Sequence, residues 1–547
     1  MEKLKNFLNK HKLEIFIFFI SLIFSSWLMF STFSYENGRM MIASKAWSDF
    51  ANHIPLIRSF SLGNNFPPQY PLFAGPPIRY HFLFYAFVGI IEKAGIRIDY
   101  ALNIPSILGF VMLILMIYLF AKEIFKSRAV GVLSILFFIF NGSLDFINFF
   151  NKYPLSKNTV FEIINNKNFL SFGPYDGKII SAFWNLNIYT NQRHLALSYA
   201  VSLFIIYIFL KIDPDKKTRN LNISVALGII LGISFVLNIA VFLMSACVLS
   251  CMFIFMNKKR LFIFITLIVA TILALPQYVY MQQGVSTSGI SLYPGYLITN
   301  LTFFNFFNYW FQNLGLHLIL IPLGFLLASK NARKILISFL ILFFIGNLIK
   351  FSPEIAANHK FFNYFMIVGS MFSSYFLYFL WKKKNLFRPF VFILIFILIF
   401  SGIIDLFPIY NDNYISLNDY PKNRDANWIL KNTSPDSVFL NTQFLYDNAS
   451  IVGRKIYLGW PYFAWSQGYN TDKRYESFSQ ILGTGNEQTL CLDLIKNNID
   501  YIEISGNNLR DPNLPKVSNI FSDFKPIFKD LKTNYSIYKT SQNCENI

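Results

Sequence analysis

The sequence predicts a polytopic α-helical membrane protein of about eleven spans plus an interfacial helix, followed by a soluble α/β domain. Three observations carry that prediction. Apolar runs of roughly 17–22 residues, the length that crosses a bilayer, recur from residue 13 to residue 408. Only 14% of the chain is charged, where soluble proteins carry about a quarter. Residues 411–547 break the pattern, with 15 acidic and 14 basic residues and no run long enough to span. Residues 1–410 hold 14 acidic against 34 basic residues, so the net charge of +19 belongs to the membrane part. It sits in clusters between apolar runs, such as Lys3/Lys5/Lys10/Lys12, Lys258/Lys259/Arg260 and Lys382/Lys383/Lys384/Arg388. That placement is the positive-inside pattern, and it argues against a nucleic-acid partner.

Taken in order, the spans fall at 13–33, 100–121, 129–148, 194–211, 221–237, 239–256, 261–281, 313–329, 335–351, 361–381 and 389–408. With the N-terminus cytoplasmic, every basic cluster faces the cytoplasm. The loops 34–99, 152–193 and 282–312, and the soluble domain, then lie outside. His81 to Ile91 is apolar but too short to span, and reads as an interfacial helix on the outer leaflet. The runs on either side of Asn238 are two spans or one bent element. In the soluble domain, 422–432, 471–482 and 487–498 suit helices, and 438–440, 501–504 and 535–538 suit strands. Gly453 to Gly468 reads as an aromatic-rich surface loop, its rings serving either as sugar-stacking platforms or as a small core. Cys491 and Cys544 could pair if this domain is extracytoplasmic.

No ionisable group falls mid-span, which moves chemistry to the outer face and weighs against a transporter or flippase. A non-catalytic envelope-assembly scaffold is the other rival. The first outer loop opens with Trp47-Ser48-Asp49-Phe50-Ala51-Asn52-His53 and continues to Arg58. On a helix, Asp49 and His53 share a face. They could then deprotonate a hydroxyl or share a divalent cation, or Asp49 could simply cap the helix. A stiff Pro-rich stretch follows, from Asn65-Phe66-Pro67-Pro68 to Arg79-Tyr80-His81. Gln192-Arg193-His194 and Asn358-His359-Lys360 each directly precede a span. Arg58, Arg79, His81, Arg193, His194, His359 and Lys360 are therefore candidates for holding a lipid phosphate, or for anchoring the chain at the interface.

The first outer loop with its acid at Asp49 resembles the GT-C superfamily of membrane glycosyltransferases. Asn65-Phe66-Pro67-Pro68, Gly75 with Tyr80-His81, Gln192-Arg193-His194, Asn358-His359-Lys360-Phe361-Phe362, Gly453-Arg454 and Trp465-Ser466-Gln467-Gly468 also resemble uncharacterised relatives. The likeness covers nearly the whole chain. It implies a catalytic carboxylate at Asp49 and a sugar donor on polyprenyl phosphate. It also implies a glycan, lipid or protein acceptor met outside the membrane, with Arg454, Trp460 and Trp465 as acceptor-binding candidates. Many members carry a second acid beside the first, whereas Phe50 follows Asp49 here. A paired-carboxylate metal site would need Asp176 or Glu354 as the second acid.

Overall fold

A computed structural model describes residues 10–169, 171–173, 175–283, 289–506 and 514–545. Lys3 and Lys5 lie outside the described residues. Among the described residues, eight helices are long and apolar enough to cross a membrane, and the chain is an integral membrane protein. They include α1 (Lys12–Phe30), α4 (Ile98–Phe125), α9 (Arg193–Lys211), α10 (Lys217–Leu237), α12 (Arg260–Met281), α15 (Lys330–Leu348), α16 (His359–Lys383) and α17 (Arg388–Tyr410). Between them run α2 (Trp47–Ser61), α3 (Leu83–Lys93), α5 (Arg128–Ile139), α6 (Asp145–Lys152), α7 (Thr159–Ile164), α8 (Asn187–Asn191) and α11 (Ile239–Phe255). Between α12 and α15 lie α13 (Phe303–Leu314) and α14 (His317–Leu327).

The expectation of eleven long spans is corrected at three places. The run at 129–148 breaks at Phe140, leaving α5 with 12 residues and a separate α6. The run at 239–256 is the 17-residue α11, divided from α10 by Asn238, whose side chain accepts a hydrogen bond from the Val241 amide as an N-cap. The run at 313–329 is bent by 87° between α13 and α14. Gly315 makes that corner with φ 55°, and a Cβ there would lie 2.0 Å from the Gly142 carbonyl oxygen. The expected interfacial segment is α3, an 11-residue helix.

Two short strands follow α1. β1 (Phe33–Glu36) and β2 (Arg39–Ala43) form a hairpin whose turn residues Asn37 and Gly38 both have positive φ. β3 (Ser291–Leu292) and β4 (Ile349–Lys350) form a separate antiparallel pair, and β2 pairs with β5 (Tyr414–Asn418), the first strand after α17. One apolar core joins the two regions. Phe50, Ile54, Ile57, Tyr70 and Tyr85 of the first loop pack with Ala426, Phe439, Ile456, Phe478 and Ile537 of the C-terminal part.

That part holds a five-stranded sheet ordered β7-β6-β8-β10-β9. Its members are β6 (Val438–Leu440), β7 (Lys455–Ile456), β8 (Tyr501–Ile504), β9 (Phe528–Asp530) and β10 (Tyr535–Lys539). β6 runs parallel to β7 and β8, and β10 runs antiparallel to β8 and β9. The helices are α18 (Arg424–Asn432), α19 (Asn448–Ile451), α20 (Pro461–Ser466), α21 (Thr471–Gly483), α22 (Glu487–Lys496) and α23 (Thr540–Asn543). The aromatic stretch read as a loop is therefore β7 followed by α20. Asn470 caps α21 by accepting from the Lys473 amide. Cys491 and Cys544 form a disulfide, with Cα atoms 5.5 Å apart.

Candidate active site

α2 carries Asp49 and His53 one turn apart, and three separate segments close around them. From the Pro-rich loop and α3 come Tyr80, His81 and Tyr85. His194 comes from the first turn of α9, and Lys360 from that of α16. The His53 ring stacks on Tyr85 at 4.6 Å. The Tyr85 hydroxyl shares a 2.8 Å hydrogen bond with His194 Nδ1 and bonds the Tyr80 hydroxyl. His81 lies against both Tyr80 and His194, with ring centroids 3.7 and 4.2 Å away. Each of the three imidazoles keeps one buried ring nitrogen without a protein partner: His53 Nδ1, His81 Nε2 and His194 Nε2.

Asp49 faces this group from its edge. Its nearest opposite charge is Lys360, and it accepts a hydrogen bond from the Asn191 side chain. Burial raises its pKa to about 6, while Lys360 and Asn191 hold it down. The carboxyl is therefore mostly ionised at neutral pH and poised near it. Burial, and then the Arg193 charge, pushes His53 down to about 3. Burial also drives His81 well below the usual imidazole range, with Lys360 adding to the shift. Both rings are neutral at physiological pH, each offering one N–H and one lone pair. The arrangement combines one carboxylate, one ammonium and a bank of uncharged imidazoles.

The other predicted residues are placed differently. Arg58 is buried and fully engaged, its Nε 2.8 Å from Glu92 and its Nη2 2.9 Å from Asp419. It therefore ties α2 to α3 and to the C-terminal part. Arg193 is also buried, donating to Thr190 O, Met29 O, Asn103 Oδ1 and Thr32 Oγ1. It underlies Phe50, with 5.5 Å between its guanidinium and the ring, and acts as a strut beneath Asp49. Arg454 spends its donors on Leu430 O, Thr433, Leu62 O and Val452 O. All three arginines are thus bonded within the protein, Arg193 and Arg454 through all five of their N–H donors. Arg79 bonds the Gly468 carbonyl at 2.7 Å and covers the Tyr469 ring. His359 stacks on Phe183 at 4.8 Å and bonds Asn363 at 3.1 Å, one residue from Lys360.

Trp460 and Trp465 remain exposed on and beside α20. Between them Tyr462, which feels the Asp49 charge, donates to Glu354 at 3.2 Å. Asp176 pairs with Lys178 at the surface. Among the described residues, no group of three or more His, Cys, Asp and Glu is arranged to hold a metal ion.

Sequence reasoning missed Tyr85, Asn191 and Tyr446, and quoted Tyr80 without giving it a role. Tyr446 stacks on Trp47 at 4.1 Å and donates to its carbonyl. Only Tyr85 left a local trace, standing four residues after His81.

No family model and no curated protein matches the sequence. Solved structures do match. The oligosaccharyltransferase AglB of the archaeon Archaeoglobus fulgidus, bound to an inhibitory peptide and a dolichol-phosphate, superposes with a TM-score of 0.55 at 13% identity. The match covers 91% of this chain and 70% of that one. The chain shares the fold of that oligosaccharyltransferase. A second structure of the same oligosaccharyltransferase, with zinc and sulfate, gives 0.52 at 14% identity over 90% and 68% of the two chains. ArnT of Cupriavidus metallidurans, at 10% identity over 99% and 98%, gives a TM-score of 0.47, too distant to add weight.

Proposed function

We propose that this chain is a membrane glycosyltransferase that moves a sugar from a polyprenyl-phosphate donor to an acceptor hydroxyl on the outer face of the membrane. The observation that carries the reading is the meeting of Asp49, Lys360 and three imidazoles with uncommitted nitrogens, drawn from four segments at one helix-bundle mouth. The match to an oligosaccharyltransferase crystallised with dolichol-phosphate supports a lipid-linked donor.

Asp49 is the general base. The acceptor O–H proton passes to its carboxylate as the acceptor oxygen bonds the anomeric carbon. The bond from that carbon to the phosphate oxygen breaks, and its electron pair leaves on the phosphate. Lys360 and the N–H groups of His81 and His194 stabilise that departing charge, while His53, on the same helix face as Asp49, orients the acceptor. His359 and Arg79 flank the phosphate side. Phosphate is a stable leaving group, so no general acid is needed, and no step passes through a metal. Trp460 and Trp465 line the acceptor side.

In this reading residues 1–410 form the catalytic membrane domain and 411–547 an extracytoplasmic domain that completes it, with the N-terminus cytoplasmic. The Cys491–Cys544 disulfide supports an oxidising compartment for the latter. Purified Asp49→Asn protein, assayed for transfer from a labelled polyprenyl-phosphate sugar, should lose on the order of 100-fold or more in rate. Undiminished transfer would remove Asp49 from the mechanism.

A further inference from the structure

The end of the bundle opposite Asp49 holds an opening of its own. Tyr375 stands on α16 about 22 Å beyond Lys360, at the 1.5 Å rise of a helix. Beside it a cavity of about 680 Å3 forms between the ends of α4, α9 and α11 and the start of α15. That falls within the range of small-molecule sites, about 300–1,000 Å3.

Two chemistries line it. Ile124, Phe125, Phe255, Met256, Ile335 and Tyr375 supply apolar surface. Lys126, Lys258, Lys259 and Lys334, from three separate segments, supply ammonium groups. Basic loops at one membrane face set topology without needing a cavity. Two of these lysines do more than that. Lys259 Nζ donates to Phe209 O at 2.7 Å and Leu210 O at 3.1 Å, and Lys334 Nζ donates to Phe255 O at 2.9 Å. Carbonyls at helix ends thus fix both ammonium groups at the cavity, and each keeps at least one N–H to give. Lys258 is exposed and bonded to nothing among the described residues. Glu123 is the one carboxylate in the lining, and Lys126 and Lys211 both pair with it, Lys211 at 2.6 Å. Asp213 and Asp215, on either side of Pro214 in the wall, are exposed. The first turn of α15, with Ser329, Asn331 and Ala332, adds the positive end of a helix dipole.

Surplus positive charge beside apolar surface fits an amphiphile with an anionic head. We propose that this cavity holds the phosphate headgroup of an anionic membrane lipid, in the leaflet opposite Asp49. Lys258, Lys259 and Lys334 meet the phosphate oxygens, and the start of the lipid's chains covers Phe125, Phe255 and Ile335. A choline head would bring another cation among the lysines. A soluble phosphate would leave the apolar surface wet. The site is separate from the Asp49 group and does not depend on the reaction proposed there.

The full chain in neutral detergent would be titrated with dioctanoyl phosphatidylglycerol, dioctanoyl phosphatidylcholine and glycerol phosphate. Phosphatidylglycerol should bind about 10-fold or more tightly than either of the others. Lys258→Gln removes an exposed, unbonded charge, and Asn331→Trp fills the cavity from an exposed position without changing charge. Each should weaken phosphatidylglycerol binding about five-fold, the worth of one lysine near an anionic lipid. Lys383→Gln combined with Lys384→Gln takes two charges from the same end of the bundle, outside the cavity, and should leave binding within about two-fold. Equal binding of phosphatidylcholine, or a loss in that control as large as in the cavity variants, would overturn the site in favour of diffuse charge. Unchanged binding in both cavity variants would overturn it too. Glycerol phosphate binding as tightly as the lipid would make this a site for soluble anions and overturn the lipid.

Discussion

At the scale of single residues, the site depends on how burial tunes each ionisable group. Asp49 has its pKa raised to about 6 by desolvation, so it is protonated below that pH and a base above it. Transfer should therefore climb about tenfold per pH unit below 6 and level off above 7. His53, held at about 3, adds no inflection of its own in that window. A flat pH–rate profile between 5 and 7 would contradict the assignment. Arg58 makes the complementary case. Its position nine residues after Asp49 suggested a substrate contact, but its partner Asp419 lies 361 residues away. No local pattern reveals such a pairing. Arg58→Leu strands two buried carboxylates, and should cost about 3–5 kcal/mol, seen as a lower Tm in detergent, with little salt dependence.

Among the elements, those with strong periodicity were legible and those made by distant contacts were not. The eight long helices follow from apolar length alone, and β6, β8 and β10 from alternation. The shortened spans were not legible, because their breaks depend on fits between segments far apart in sequence. Gly315 turns the α13–α14 corner because its α-carbon lies against the Gly142 carbonyl, which sequence does not announce. Gly315→Ala puts a Cβ into that oxygen at positive φ. It should destabilise by at least about 2 kcal/mol, read as a lower Tm. The strand β5 escaped for the same reason as the corner, since its partner β2 lies some 370 residues away in the sequence.

For the whole molecule, the membrane bundle and the C-terminal part are readily told apart by composition. Their joint core is not, because composition says nothing about which apolar faces meet. Phe50, Ile54 and Ile57 beside Asp49 are covered by residues beyond 425. A chain ending at residue 410 should insert in membranes yet leave α2 exposed. Limited proteolysis should then cut within 47–61, which resists cleavage in the full chain. Equal resistance in both would show that the helix is held by the bundle alone.

The pairing of β2 with β5, and of Arg58 with Asp419, also has a meaning in time. A ribosome makes the Asp49 helix early and its covering partners last. For much of its synthesis the chain therefore holds α2 and the β1–β2 hairpin without the residues at 414–419 that pair with them, and these surroundings assemble only after the whole bundle has been made.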